Sequence, residues 1–228
     1  TDSEFSGQTS GARGIVIWNG LKENITITGN TVSNNSCCGI ELQDGTADQV
    51  NISNNTVTVT TGDSGMGLTG MSNATVSMNT VNAAGRFGIE IKNPVDAVTV
   101  SNNTVTYTGT SSPTDRDYAG IAIFRRGYLG GASGADIPNG VTVTGNEVND
   151  YQHAGAVAEA FGIVIEGTNH TVNGNTLNNN DIGIQFQGGG HANANYPGGD
   201  GSQNAGDSPD YFGRGNAPVV CNIDLGTN

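Results

Sequence analysis

The sequence predicts an all-β chain folded as a right-handed parallel β-helix, a solenoid of about seven coils with an internal asparagine ladder. Three observations predict it: a strand motif that returns about every 24 residues, a second motif alternating with the first, and one asparagine held in every copy.

The first motif is Ile25-Thr-Ile-Thr-Gly-Asn30-Thr-Val32, and it recurs as Val50-Asn-Ile-Ser-Asn-Asn55-Thr-Val57 and Ala74-Thr-Val-Ser-Met-Asn79-Thr-Val81. Further copies are Val98-Thr-Val-Ser-Asn-Asn103-Thr-Val105, Val141-Thr-Val-Thr-Gly-Asn146-Glu-Val148 and His170-Thr-Val-Asn-Gly-Asn175-Thr-Leu177. The second begins with glycine: Gly14-Ile-Val-Ile17, Gly39-Ile-Glu-Leu42, Gly65-Met-Gly-Leu68, Gly88-Ile-Glu-Ile91, Gly120-Ile-Ala-Ile123, Gly162-Ile-Val-Ile165 and Gly183-Ile-Gln-Phe186. Both alternate apolar and polar residues, the pattern of a strand with one buried face. Strands this short cannot bury that face singly, but equivalent strands stacked in parallel can. Ile15, Ile40, Met66, Ile89, Ile121, Ile163 and Ile184 then form one interior column, and Ile27, Ile52, Val76, Val100, Val143 and Val172 another. The asparagines fall 25, 24, 24, 43 and 29 residues apart. At a bend between strands, their amides can bond to the coils above and below and satisfy backbone groups left unpaired there.

Composition narrows the function. Hydrophobic residues make up only 34% of the 228, and the net charge is −13. That charge argues against a nucleic-acid partner, which needs a basic surface, and no apolar run is long enough to insert in a membrane. Three cysteines (Cys37, Cys38, Cys221) are not a disulfide framework, and on an extended strand Cys37 and Cys38 would face opposite sides. The seven Asn-x-Ser/Thr sequons fall inside tightly stacked repeats, which favours an organism that does not glycosylate them.

These copies resemble the parallel β-helix repeat shared by pectate lyases, alginate lyases, mannuronan epimerases, polygalacturonases and many surface proteins. The resemblance covers about residues 14–187. It implies a secreted or cell-surface solenoid and a carbohydrate partner. The Asp-Pro-His of the epimerases, the Gly-His-Gly of the polygalacturonases and the Leu-Arg-His-Gly of alginate-lyase relatives are absent, so no family's active residues transfer. Residues 1–13 are expected to be a lead-in to a truncated chain. Residues 188–228 are expected to be a Gly/Asn-rich tail and cap in which Val219, Val220 and Ile223 lay down a last strand.

Functional loops on a regular scaffold interrupt its period. Insertions at 108–118, 125–139 and 149–161 interrupt this one, bringing together Tyr107, Tyr118, Phe124, Arg125, Arg126, Tyr128, Tyr151 and His153. Aromatic faces and guanidinium forks suit sugar rings and uronate carboxylates. Beside the Gly-Ile-x-Ile strands, the outward positions place Glu41 and Glu90 two coils apart, roughly 9–10 Å, with Gly67 between them. That separation approaches the range of an inverting carboxylate pair. The gap would also suit a cation such as Ca²⁺, or a substrate carboxylate beside Lys92 and Arg86. Glu41, Glu90, Lys92 and Arg125 are therefore the candidate catalytic residues, and Arg86, Tyr118, Phe124, Arg126, Tyr128, Tyr151 and His153 the candidate substrate-binding ones. Two outward glutamates can equally be a solvated face. His170, in an otherwise aliphatic column, reads as a hydrogen-bonded core residue. The rows Thr26, Thr75, Thr99, Thr142, Thr171 and Thr28, Ser53, Ser77, Ser101, Thr144 resemble an ice-binding lattice, but threonine is also favoured on exposed strands.

The expected function is binding of an extended, acidic polysaccharide, with lyase, epimerase or glycosidase chemistry. The rival is a non-catalytic structural or adhesive solenoid, which would associate end to end or side by side through its strand edges.

Overall fold

The computed structural model describes residues 1–6, 13–59, 64–83, 85–94, 96–109, 118–124, 138–152, 160–167, 169–187 and 223–224. Among these, all regular structure is strand, arranged in three parallel sheets of seven strands each. The chain visits the sheets in rotation, making about six turns. The first sheet stacks Glu4–Ser6, Thr31–Asn35, Thr56–Val59, Thr80–Ala83, Thr104–Tyr107, Glu147–Asn149 and Thr176–Asn178. The second stacks Ile15–Trp18, Ile40–Gln43, Ser64–Thr69, Phe87–Lys92, Tyr118–Phe124, Ala160–Glu166 and Ile182–Gln187. The third stacks Leu21–Thr28, Thr46–Ser53, Met71–Ser77, Asp96–Ser101, Val141–Thr144, His170–Asn173 and Ile223–Asp224.

The asparagine motif is thus two strands and not one. Its first half belongs to the third sheet, the asparagine turns the corner, and the two residues after it open the first sheet. Glu4–Ser6 already pairs with Thr31–Ser33, so coil structure starts ahead of the first repeat visible in the sequence. Near the other end, Ile223 and Asp224 pair with His170 and Thr171.

Register follows the repeat. Ile40 lies beside Ile15 and Met66, and Ile89 beside Met66 and Ile121, with Ile163 and Ile184 continuing the column. Val32, Val57, Val81, Val105 and Val148 form a third column on the first sheet. Nearly every member of these columns is fully buried, and burial of an aliphatic side chain contributes roughly 1.5–3 kcal/mol. A glycine opens the second-sheet motif because the shaft is tightest there. A Cβ on Gly39 would stand 2.2 Å from Val57 Cγ1 and 2.7 Å from the Gly65 carbonyl oxygen.

The asparagine ladder runs unbroken from Asn30 to Asn175. Nδ2 of Asn30, Asn55, Asn79, Asn103 and Asn146 each donates to Oδ1 of the next asparagine at 2.9–3.0 Å. Their backbone N–H groups donate to the same oxygens at 3.0 Å. From Asn55 upward, Nδ2 also donates to a carbonyl of the preceding coil: Ile27, Ile52, Val76, Val100 and Val143. All six side chains are buried and bonded on both atoms, which a buried amide requires. The residue before each of them is left-handed, with φ of 54–70° at Gly29, Asn54, Met78, Asn102, Gly145 and Gly174. Glycine and asparagine suit that corner.

Candidate functional site

The outer face of the second sheet carries the candidate site. Gly67 pairs with Glu41 on one side and Glu90 on the other, so the two carboxylates stand two coils apart across a residue without a side chain. A Cβ at Gly67 would lie 3.6 Å from Glu90 Oε2, 3.7 Å from Glu41 Cγ and 3.8 Å from Lys92 Nζ. These three side chains converge over the glycine. Lys92 Nζ is 3.7 Å from Glu90 Oε2, which also accepts a 2.6 Å hydrogen bond from Ser64 Oγ. Glu41 is bonded by Arg13 Nε. Arg13 also lies over the Trp18 ring, 5.2 Å from its centroid, and Trp18 Nε1 donates to Asp44 Oδ2 at 3.3 Å. Burial works against the Arg13 charge, but the Glu41 bond and the neighbouring negative charge hold its pKa above the ordinary value.

Glu41, Glu90, Lys92 and Arg86 point away from the shaft, yet all four are buried, Glu90 to 1% exposure. They are not a solvated face. Buried charges persist only when paired and hydrogen-bonded, and here the carboxylates meet cations and a hydroxyl. Trp18 differs: it is 54% exposed at the rim of the same strip. Higher on the sheet the outer face turns apolar, where Phe87, Ala119, Ala122, Phe124, Phe161, Val164 and Ile182 form a second cluster outside the shaft. Phe87 and Phe124 meet with centroids 5.6 Å apart, and Arg86 lies over the Phe87 ring at 4.9 Å.

A family model described as a right-handed beta helix region matches residues 1–128. The chain belongs to the right-handed β-helix family. No curated protein and no solved structure matches it. Membership of the β-helix family accounts for the three sheets and the shaft; one fold of this kind carries many chemistries, so function has to be argued from the site.

The predicted site residues divide into three groups. Glu41, Glu90 and Lys92 are brought together, and Arg86 stands on the same face. Tyr118 and Tyr151 do meet each other and Tyr107, with ring centroids 5.1–6.0 Å apart, but inside the shaft and not on a loop surface. Their expected exposure to a sugar is corrected by this packing. Tyr107 continues the Val59–Ala83 column, and Tyr118 begins its strand at the inner corner, beside Ala160. Small residues there (Ala83, Gly88, Gly120, Ala160) leave room for three rings. Burial pushes the Tyr151 hydroxyl well above its ordinary range. Phe124 does face outward, but lies inside the apolar cluster and is fully buried. Arg125, Arg126, Tyr128 and His153 lie outside the described residues, as do most of the three insertions.

Arg13, Trp18 and Ser64 belong to the strip and were not singled out from the sequence. Trp18 directly follows the first Gly-Ile-x-Ile motif as Lys92 follows the fourth, and Ser64 directly precedes a motif glycine. Arg13, one residue before the first motif, carried no signal. Among the described residues no group of three or more His, Cys, Asp or Glu side chains is placed to hold a metal ion. His170 is a core residue: Nδ1 accepts from the Val141 N–H at 3.1 Å, and Nε2 lies 3.0 Å from the Glu166 carbonyl oxygen. The hydroxyl rows are in register, but Ser53 and Ser77 are buried, so the second row is not a flat exposed lattice.

Proposed function

We propose that this chain is a secreted or cell-surface bacterial β-helix that binds an extended, acidic polysaccharide along the outer face of its second sheet. The observation that carries the reading is the strip Trp18–Arg13–Glu41–Gly67–Glu90–Lys92: an exposed aromatic ring beside paired charges, with a glycine at the centre. A solenoid needs none of this to bury its shaft. Floors of ligand sites combine such desolvated polar groups with an aromatic wall. In this reading a sugar ring stacks on Trp18, and Lys92 and Arg86 meet uronate carboxylates. Glu41 and Glu90 stand on either side of the Gly67 gap as an acid–base pair for lyase, epimerase or hydrolase chemistry.

Trp18 is the sole tryptophan of the sequence, so its fluorescence reports binding directly. Titration with oligouronates is expected to quench or shift it saturably, while neutral glucans leave it unchanged. Lys92→Met is expected to weaken binding about ten- to a hundredfold, the loss of one charge-assisted hydrogen bond. Reducing-end release and the absorbance of an unsaturated uronate product separate hydrolase from lyase. If every uronan leaves the fluorescence unchanged, the rival stands: the burial of Glu41 and Glu90 favours a structural or adhesive solenoid whose charges serve only one another.

A further inference from the structure

The strip ends against a feature that the carbohydrate reading does not use. Cys37 and Cys38 do not face opposite ways, as they would on a strand, because residues 36–39 form the bend between the first and second sheets. Their sulfur atoms are 2.9 Å apart. Cys37 is half-buried and Cys38 buried, both as free thiols. The Cys38 backbone is fixed in the stack, its carbonyl oxygen accepting from Gly14 N–H at 3.0 Å. The pair is not isolated from the charged strip: Glu41 and Arg13 both lie close enough to act electrostatically on the thiols.

We propose that Cys37 and Cys38 are a two-electron redox site, a vicinal dithiol that a small-molecule disulfide of the glutathione class converts to an intrachain disulfide. The Cys37 sulfur, on the less buried residue of the pair, attacks one sulfur of the oxidant as thiolate. A mixed disulfide forms, and one glutathione thiolate leaves. Cys38 then attacks the Cys37 sulfur, the Cys37–glutathione bond breaks, and the Cys38 proton leaves with the second glutathione. Two thiols lose two protons and two electrons, and one glutathione disulfide becomes two glutathiones. The order of attack follows from the surroundings. Burial, the contact with Cys37 and the negative charge of Glu41 hold the Cys38 thiol above its ordinary range, so it is the poorer first nucleophile and the natural resolving partner.

Closure draws the two sulfurs from 2.9 Å to about 2.05 Å, a movement of under an ångström. Adjacent Cα atoms are about 3.8 Å apart, less than the usual disulfide spacing of ~4.4–6.8 Å. Bonds of this constrained kind are the readily reduced ones. The proposal does not depend on the carbohydrate reading, and each can fail without the other.

The test uses the full chain and a Cys221→Ser variant, which removes the third thiol. Each is incubated with glutathione disulfide, alkylated, and examined by intact mass and peptide mapping. The expected result is the joint loss of two alkylatable thiols, located in the single peptide holding Cys37 and Cys38 with the mass of two hydrogens missing. Both thiols should return with dithiothreitol. Cys37→Ser should abolish the paired loss while circular dichroism stays that of the parent. A trivalent arsenical, which bridges two close thiols, should be retained one per chain by the parent and not by that variant, an independent sign that both thiols react as a pair. Two separate glutathione adducts, a bridge from either residue to Cys221, or full alkylation of both thiols after incubation with glutathione disulfide would each overturn the proposal.

Discussion

Asn103 shows what a single side chain does in this molecule. Its Oδ1 accepts from the backbone and side-chain nitrogens of Asn79, and its Nδ2 donates to the Val76 carbonyl and to Asn146 Oδ1. Asn103→Ala strands partners on both sides, each at about 1–3 kcal/mol. A loss of at least ~3 kcal/mol in denaturant unfolding is expected. Asn30→Ala should cost less, because the Asn30 oxygen serves only the Ser3 N–H, at 3.2 Å. His170 gives a pH signature. Burial brings its pKa down to about 4 from 6.5, so it stays neutral in the folded chain while the unfolded chain takes up a proton. Its contribution is whole above pH ~6.5 and drains away as the pH falls toward ~4, about 3 kcal/mol in all. Denaturant titrations at several pH values should show that loss in the parent, and a shallower one in His170→Val. Both residues were legible in advance, Asn103 by recurrence and His170 by its place in an aliphatic column. Arg13 was not, because its role comes from coil stacking and not from any local pattern.

Strands and their corners account for what the sequence hid at the next scale. Period-two alternation marks all three sheets, but in the first it runs straight on from the asparagine motif, as in Thr56-Val-Thr-Val59 and Thr80-Val-Asn-Ala83, so spacing alone does not show that the asparagine turns a corner between two strands. The tyrosines show a different gap. Their meeting was foreseeable from the insertions, whereas their side of the wall depends on how much room Ala83, Gly88 and Gly120 leave, and chain spacing does not encode that volume. Two glycines of the second sheet therefore behave differently. A Cβ at Gly88 would meet Val105 Cγ1 at 2.2 Å and the Gly120 oxygen at 2.6 Å, so Gly88→Ala should lower the thermal midpoint by several degrees or prevent folding. Gly67→Ala meets nothing closer than 3.6 Å. It should leave the thermal midpoint nearly unchanged while its methyl fills the gap between Glu41 and Glu90 and abolishes oligouronate binding.

Over the whole molecule, protection is graded along the axis. The lowest coil is thinly covered: Ile15 and Ile17 are half-buried, and Leu21 and Trp18 are 65% and 54% exposed, while Ile40 and Leu42, which stack on Ile15 and Ile17, are fully buried. In a solenoid each coil is stabilised chiefly by its neighbours. Amide hydrogen exchange should be fastest in Ile15–Thr28 and slowest in the coils holding Val76 to Val143. Uniform exchange from end to end would mean that the coils open only together.

The asparagine ladder has one more consequence, for growth. Each amide takes from one neighbour and gives to the other in the same sense all along the stack, so every middle coil presents the same socket below and the same plug above. Doubling the 24 residues from Thr56 to Asn79 would put a new Asn-to-Asn joint between two existing ones without altering either. A duplication out of phase with that count would leave a plug with no socket. Lengthening by whole modules is therefore the cheapest change this architecture can accept, and length is the property most open to alteration over generations.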